Sequence, residues 1–375
     1  MQAVYKNRID WILFFSILPL LGVGLITMKS FGGVESDYFF NRQIIWIIAS
    51  IAIFFIFSFL DWRFLRNGKL LAVFFAVSCL ILLGLLIFVK AVKGASSWID
   101  LGFFSVEPSD PVKLLLIVVL AKYFSRRHIE IANIKHIFIS GIYAFIPFTL
   151  ILFQPDFGSA IIIFFIWLGM VLASGVSKKH LFLVFFVAIA TFATFWMFVF
   201  APYQKARIKS FLNPLADIQG SGYNAYQSMI AVGSGRVFGK GIGFGTQSRL
   251  SFLPEHQTDF IFAAFAEEWG FAGVILLFLF FGIVIWRILK NAMLGASNFE
   301  SFFGLGLAVF LTSHFIIHIG MNVGLLPITG TTIPFLSYGG SHMLTIFVGL
   351  GILMGMRHYS RTIHYEDTGR EFLGL

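Results

Sequence analysis

Asp259 is the residue of this chain best placed for acid–base chemistry. It follows a polar stretch, 202–258, that is rich in Gly, Arg and Lys and closes on Leu253-Pro254-Glu255-His256-Gln257-Thr258. Directly after it the apolar pattern resumes, carrying Glu267 and Glu268. Carboxylates in such sequence are expensive enough to imply a task, and long polar connections are usually functional or disordered. On a helix running on from Asp259, Glu267 lies about 12 Å deeper and about 80° away, and Glu268 faces the opposite side. Neither can join Asp259 in a glycosidase pair, whose carboxyls stand about 5–9.5 Å apart. Asp259 is therefore expected to act as a lone general base at the outer membrane surface, although its position also suits the N-cap of the following helix.

Other segments hold further candidates. In Glu107-Pro108-Ser109-Asp110-Pro111-Val112-Lys113, Pro111 suits a first helical turn and Asp110 its positive end. Lys113 points into apolar sequence, where it needs a partner, an anion or a wet cavity, unless it snorkels to the surface. Asp156, in Gln154-Pro155-Asp156-Phe157-Gly158, is expected to cap the next helix, with substrate or ion contact open in addition. The run from Gly233 to Gly245 resembles a phosphate-cradling loop only loosely. Gly239-Lys240 is not followed by Ser or Thr and no strand precedes it, so a P-loop is rejected. Glycines interleaved with Arg236, Lys240 and Arg249 would still let backbone approach a phosphorylated ligand, and a merely flexible loop explains them as well. His314, His318 and Asn322 form one helical stripe. Without the companion glutamate of a His-Glu-x-x-His site, it reads as interhelical hydrogen bonding in preference to metal binding.

These residues must be positioned by membrane helices. The chain is 58% hydrophobic, 18% aromatic and only 12% charged, with a mean hydropathy of +0.88, against roughly 25% charge in soluble domains. With roughly 20 apolar residues per span, ten candidates emerge, near 11–28, 44–60, 70–89, 110–124, 137–153, 158–175, 181–201, 259–286, 302–322 and 341–356. The apolar run after Trp11 is too long for a removed signal peptide. Loops on the N-terminal side hold Lys6, Arg8, Arg63, Arg66, Arg126, Arg127, Lys178, Lys179, Arg287 and Lys290 among others; the short loops opposite hold only Lys29, Arg42, Lys90 and Lys93. That asymmetry puts both termini in the cytoplasm and the long loop between the seventh and eighth helices outside. The expected fold is an all-α polytopic membrane protein of about ten transmembrane helices, a single domain over 1–375. The net charge of +9 is orientation charge, which excludes a nucleic-acid reading. Cys79 is the single cysteine, so no intrachain disulfide forms.

Taken together the segments resemble the SEDS family (shape, elongation, division and sporulation) of peptidoglycan polymerases. The matching pieces are Gly94-Ala95-Ser96-Ser97-Trp98-Ile99, Pro108-Ser109-Asp110 with Lys113, and Gln154-Pro155-Asp156-Phe157-Gly158. They continue with Leu253 through Phe262 followed by Glu267-Glu268, then Leu326-Pro327-Ile328-Thr329-Gly330, and Ile333 through Ser341. They stand in family order across almost the whole chain. Short termini and Asn322 before Leu325-Leu326-Pro327 look most like the RodA (elongation) branch. Two positions depart from the family pattern: Ser97 stands where a basic residue usually precedes the tryptophan, and Glu107-Pro108-Ser109-Asp110 replaces Gln-Pro-Ser-Glu.

The resemblance implies a glycosyltransferase of a bacterial inner membrane, its active site facing outside, that polymerises lipid II for elongation and cell shape. Asp259 would take the proton from the acceptor sugar 4-hydroxyl, and undecaprenyl pyrophosphate would leave. Candidate substrate-binding residues are Lys113, Trp98, Asp110, Asp156, Arg236, Lys240, Glu255, His256, Thr258, Ser337 and Ser341. A divalent cation, Mg or Mn, is expected to offset the diphosphate, with no full ligand set visible in the sequence. Expected partners are a single-span class B penicillin-binding protein, other cell-elongation proteins and membrane lipid, since no Ser-x-x-Lys crosslinking motif is present. A transporter (flippase) of lipid-linked precursor and a non-catalytic wall scaffold are the competing classes. Transport favours charges spread through the bilayer depth, whereas these candidates gather at one face.

Overall fold

The computed structural model describes residues 9–88, 99–100, 102, 105–125, 134–175, 178–198, 200, 202–213, 221–250 and 252–371. The chain is mostly helical: α1 (Trp11–Ser30), α2 (Gly33–Phe59), a 3-10 turn (Arg63–Arg66), α3 (Gly68–Phe88), α4 (Ser109–Ser125), α5 (Ile134–Phe153), α6 (Phe157–Ala173) and α7 (Lys178–Phe198). Then come α8 (Pro202–Leu212), α9 (Ser221–Ser234), α10 (Thr246–Arg249), α11 (Ile261–Met293), α12 (Asn298–Asn322) and α13 (Gly340–Glu371). A small hairpin, β1 (Ile99–Asp100) and β2 (Ser105–Val106), pairs antiparallel ahead of α4.

A helix covers most of each of the ten apolar segments read from the sequence. Among the described residues, seven helices are long and apolar enough to cross a membrane: α1, α2, α3, α5, α11, α12 and the part of α13 from Gly340 to Arg357. Helix α6 and the Val184–Phe198 part of α7 are shorter apolar helices, and α4 carries Asp110, Lys113 and Lys122 in 17 residues. Outward faces are apolar, as lipid contact requires: on α3, Val73, Phe74, Val77, Leu80, Ile81 and Ile87 are all exposed.

Helices α4 and α12 form the centre. Leu116, Ile117 and Leu120 of α4 and Phe303, Leu307, Phe310 and Leu311 of α12 are wholly buried, and α12 packs on α11, α4, α6 and α13. Small residues let these helices close up: a methyl group on Gly306 would press on Ile117, and one on Gly169 on Val309. One end of the bundle is pinned by Asp10, which caps α1 through Leu13 N. Its carboxylate accepts from Arg287 Nε (3.0 Å) and Asn291 Nδ2 (2.7 Å) of α11 and pairs with Arg357 of α13. Burial by itself would raise the Asp10 carboxyl; the Asn291 and Arg287 hydrogen bonds outweigh it and hold the group below its ordinary value.

The stretch 202–258 is not a structureless connection: α8, α9 and α10 occupy it, and its glycine-rich part is bonded to a break in α11. At Gly270 the backbone leaves helical geometry (φ 66°), so Glu267 O and Glu268 O lose their helical partners four residues on, Phe271 N and Ala272 N. The loop bonds all four groups. Lys240 N and Gly241 N donate to Glu267 O and Glu268 O at 3.0 Å, and Phe271 N and Ala272 N donate to Arg236 O and Val237 O at 2.9 Å. Backbone lies on backbone here, and a side chain on Gly239 would overlap the Glu268 carbonyl. With φ 77° at Gly239, only glycine is at ease there.

Candidate functional site

Asp259 sits in a turn, residues 254–260, ahead of α11. The helix begins at Ile261 with Phe260 at its N-cap and no side-chain cap, so the capping role read for Asp259 does not hold. Glu255 adopts a left-handed conformation (φ 50°), an uncommon and costly choice outside glycine. Its carbonyl thereby receives the N–H groups of Thr258 (3.1 Å), Asp259 (3.0 Å) and Phe260 (3.3 Å). His256 Nδ1 donates to Leu253 O at 2.9 Å and its ring meets Phe31 edge-on.

The turn is clamped from two sides. Ser337 Oγ donates to Thr258 O at 2.9 Å while accepting from Ile333 N; Tyr338 N donates to Gln257 O, and Gln43 Nε2 of α2 to Ser337 O. On the other side, fully buried Asn322 uses its amide in four directions. Nδ2 donates to Asp259 O (3.0 Å) and His318 O (2.8 Å); Oδ1 accepts from Ala263 N (3.2 Å) and Ser228 Oγ (3.3 Å). Ala263 N is one of the first-turn donors that a helix leaves unpaired. Replacing Asn322 by Ala is expected to leave these groups orphaned and cost about 1–3 kcal/mol, measurable as a lower thermal midpoint in detergent. Asn322→Asp should retain the acceptor bonds and lose less.

A second cluster lies where α4, α6, α12 and α13 meet. Lys113 and Asp110 pair at 2.9 Å with side chains 1% and 3% exposed. The partner that Lys113 needs is Asp110, one helical turn back, and an ammonium inside the protein is not a snorkelling one. His342 Nδ1 stands 3.4 Å from Asp110 Oδ1, and the His314 ring lies tilted by 37° against that of His342 with centroids 4.3 Å apart. Asp156 caps α6 by accepting from Ser159 N at 2.9 Å. Glu107 bonds Ser109 and, at 3.2 Å, Ser159 Oγ. Burial first, and the Asp110 carboxylate second, push the Glu107 carboxyl up to about 8.

The connection between α12 and α13 joins the two clusters. Asp259 Oδ2 lies 3.5 Å from where a side chain on Gly330 would begin, and Thr329 and Thr331 press on Gly158 beside Asp156. His314 and His318 donate through Nδ1 to Thr332 O (3.1 Å) and Thr331 O (2.6 Å). The two histidines thus bond this connection, where bonds between helices were expected.

Not every candidate joins these clusters. Lys240 pairs with Glu267 (2.7 Å), a wholly buried carboxylate that also accepts from Thr246 N and Gln247 N. Glu268 accepts from Gly243 N at 3.0 Å. Both acids are thus posts for the loop, which wraps the helix and meets its two faces. Arg236 is exposed, with its carbonyl in the loop–helix ladder. Ser341 is buried at the start of α13 next to His342, and Trp98 lies outside the described residues. A cavity of about 90 Å³ under α8 and α9, lined by Arg207, Ser210, Met229, Leu326 and Pro327, touches none of the candidates. Sequence reasoning missed His342, Gln43 and Ser228, which enter from other helices.

Comparison with known proteins places these features. A model of the FtsW, RodA and SpoVE cell cycle proteins matches residues 9–362. The chain is 36% identical to stage V sporulation protein E of Bacillus subtilis, over 95% of this chain and 99% of that one. It is 33% identical to the probable peptidoglycan glycosyltransferase FtsW of Haemophilus influenzae, over 96% and 91% of the two chains. Against the peptidoglycan glycosyltransferase MrdB of Escherichia coli it is 35% identical over 72% and 73%. A chain from a peptidoglycan synthase complex that coordinates polymerization and crosslinking superposes with a TM-score of 0.79 at 26% identity, covering 94% and 98%. The rod shape determining protein RodA of Thermus thermophilus shares the fold, with a TM-score of 0.69 at 24% identity over 93% and 96%.

Proposed function

Because the chain belongs to the cell cycle protein family of FtsW, RodA and SpoVE, we propose that it is a multi-pass inner-membrane peptidoglycan glycosyltransferase that polymerises lipid II for elongation and cell shape. The observation that carries this reading is the Asp259 turn, held by α12 and the α12–α13 connection, with that same connection reaching the Lys113 cluster. Relatives named peptidoglycan glycosyltransferase support the activity. The elongation role rests on the RodA-like segments.

In this reading ten helices span the membrane, both termini are cytoplasmic and 202–258 lies outside. Asp259 accepts the proton of the acceptor 4-hydroxyl as that oxygen bonds the anomeric carbon of the donor sugar. The bond from that carbon to the diphosphate breaks, and undecaprenyl pyrophosphate leaves. Lys113 supplies positive charge where the leaving group gains negative charge. A Mg or Mn ion carried by the diphosphate would neutralise part of its charge, and Glu107 and Asp156 offer the carboxylate oxygens such an ion takes. Trp98, Asp110, Arg236, Lys240, Glu255, His256, Thr258, Ser337 and Ser341 complete the proposed substrate contacts, several through backbone they hold in place.

The test is purified chain in liposomes with labelled lipid II. Glycan polymer is expected; transfer of lipid II across the bilayer without polymer would instead make the chain a transporter. A class B penicillin-binding protein is the proposed partner, its single helix lying on the exposed face of α11 that carries Phe271, Ile275, Leu276, Phe278 and Leu279. Binding there would favour the competent state of the loop docked at Gly270. Full activity alone, with no detectable complex, would sink that activation.

A further inference from the structure

The proposed chemistry leaves two buried histidines without a task. Asp110 of α4, His314 of α12 and His342 of α13 each present one donor atom, and these three atoms lie within 4.8 Å of one another. The residues are 2%, 2% and 5% exposed. The Nδ1 of His314 faces the Thr332 carbonyl at 3.1 Å and so carries the proton, which leaves Nε2 with its lone pair free. That Nε2 has no hydrogen-bond partner, and neither does Nε2 of His342. Buried polar atoms are rarely left unpaired, and desolvation makes each one costly when they are. A histidine bonded through one ring nitrogen to a backbone carbonyl, with the other nitrogen bare, has the form that metal-binding histidines take.

Charge points the same way. The carboxyls of Glu107, Asp110 and Asp156 all act on the single ammonium of Lys113. Two imidazoles and one carboxylate suit Zn²⁺ and its first-row neighbours, whereas Mg²⁺ takes mainly carboxylate and water oxygens. Zinc with three protein ligands keeps a fourth position for water or substrate, with bonds of about 2.0–2.2 Å. Donors so bound stand roughly 3.4 Å apart, so the side chains close by about an ångström on binding.

We propose that Asp110, His314 and His342 form a resident site for a divalent transition-metal ion, Zn²⁺ by preference, tying α4, α12 and α13 together. This ion is distinct from one that arrives with a diphosphate, and it binds without substrate. It rests on geometry and stands whether or not the chain polymerises lipid II.

The experiment uses tag-free full-length protein in detergent, stripped with chelator, dialysed against Zn²⁺ or Co²⁺ and assayed for bound metal. About one ion per chain is expected, with Co²⁺ giving the visible absorption of a four-coordinate nitrogen and oxygen site. The double variant His314→Gln, His342→Gln should weaken binding at least about tenfold, a loss of the size seen even for supporting residues. His318→Gln, whose Nδ1 makes the same kind of backbone bond one turn away, should bind as wild type. Thermal unfolding of the metal-free proteins shows whether each variant folds, and Zn²⁺ should raise the midpoints of wild type and His318→Gln but not that of the double variant. Wild type without stoichiometric metal, a double variant that binds equally well, or a six-coordinate all-oxygen cobalt spectrum would each overturn the site.

Discussion

Asp259→Asn is expected to abolish glycan polymerisation while the chain stays folded and inserted. The amide matches the carboxylate in shape, and the bonds that hold the turn use the backbone: Asp259 N donates to Glu255 O at 3.0 Å and Asp259 O accepts from Asn322 Nδ2 at 3.0 Å. The substitution therefore removes the base and keeps its mounting. Loss of a general base costs about 10²–10⁴-fold in rate; a greater loss would mean that Asp259 also positions substrate or cation. Polymerisation of labelled lipid II by variant and wild type, with thermal midpoints measured in parallel, separates chemistry from stability. Wild-type rates in the variant would remove Asp259 from the mechanism. Asn322→Ala gives the complementary result: a lowered midpoint together with a slowed rate, since it releases the turn and leaves the carboxylate intact.

Seven helices were legible because each holds an apolar window of membrane length, and the cap at Asp156 was legible because its signal is local. The kink at Gly270 was not. A glycine among Glu, Trp, Phe and Ala reads as an ordinary helical position, and only the arrival of residues 236–241 from the preceding loop makes a broken ladder favourable. The same blind spot hid the task of Glu267 and Glu268. Their spacing from Asp259 on an ideal helix correctly separated them from it, yet nothing local shows that a loop folds back onto both. For Lys113 the partner was in plain view at Asp110, three residues away and on the same helical face. His342 escaped notice because its meaning depends on α13 packing beside α4 and α12, which no local pattern encodes. Candidate residues in turns were thus readable from residue type, and the elements that hold them were readable only in three dimensions.

Lys113→Ala is expected to lower both stability and lipid II turnover, and the two losses can be pulled apart. Removing one partner of a buried ion pair strands the other charge, at about 3–5 kcal/mol, and Asp110 is 2% exposed. Lys113→Arg should restore the charge and fail to restore full turnover, because a planar guanidinium does not fit a site shaped for a compact ammonium. The deciding variant is Lys113→Met with Asp110→Asn. It removes both charges, keeps much of the volume, and replacing a buried pair by neutral groups is often close to neutral for stability. Its thermal midpoint should therefore recover toward wild type. If Lys113 meets the diphosphate of the substrate, turnover stays low in this stable protein, because no cation faces the leaving group as its charge develops. If turnover recovers along with the midpoint, the Lys113–Asp110 pair serves only to hold α4 in the bundle, and the positive charge must come from elsewhere on the outer face.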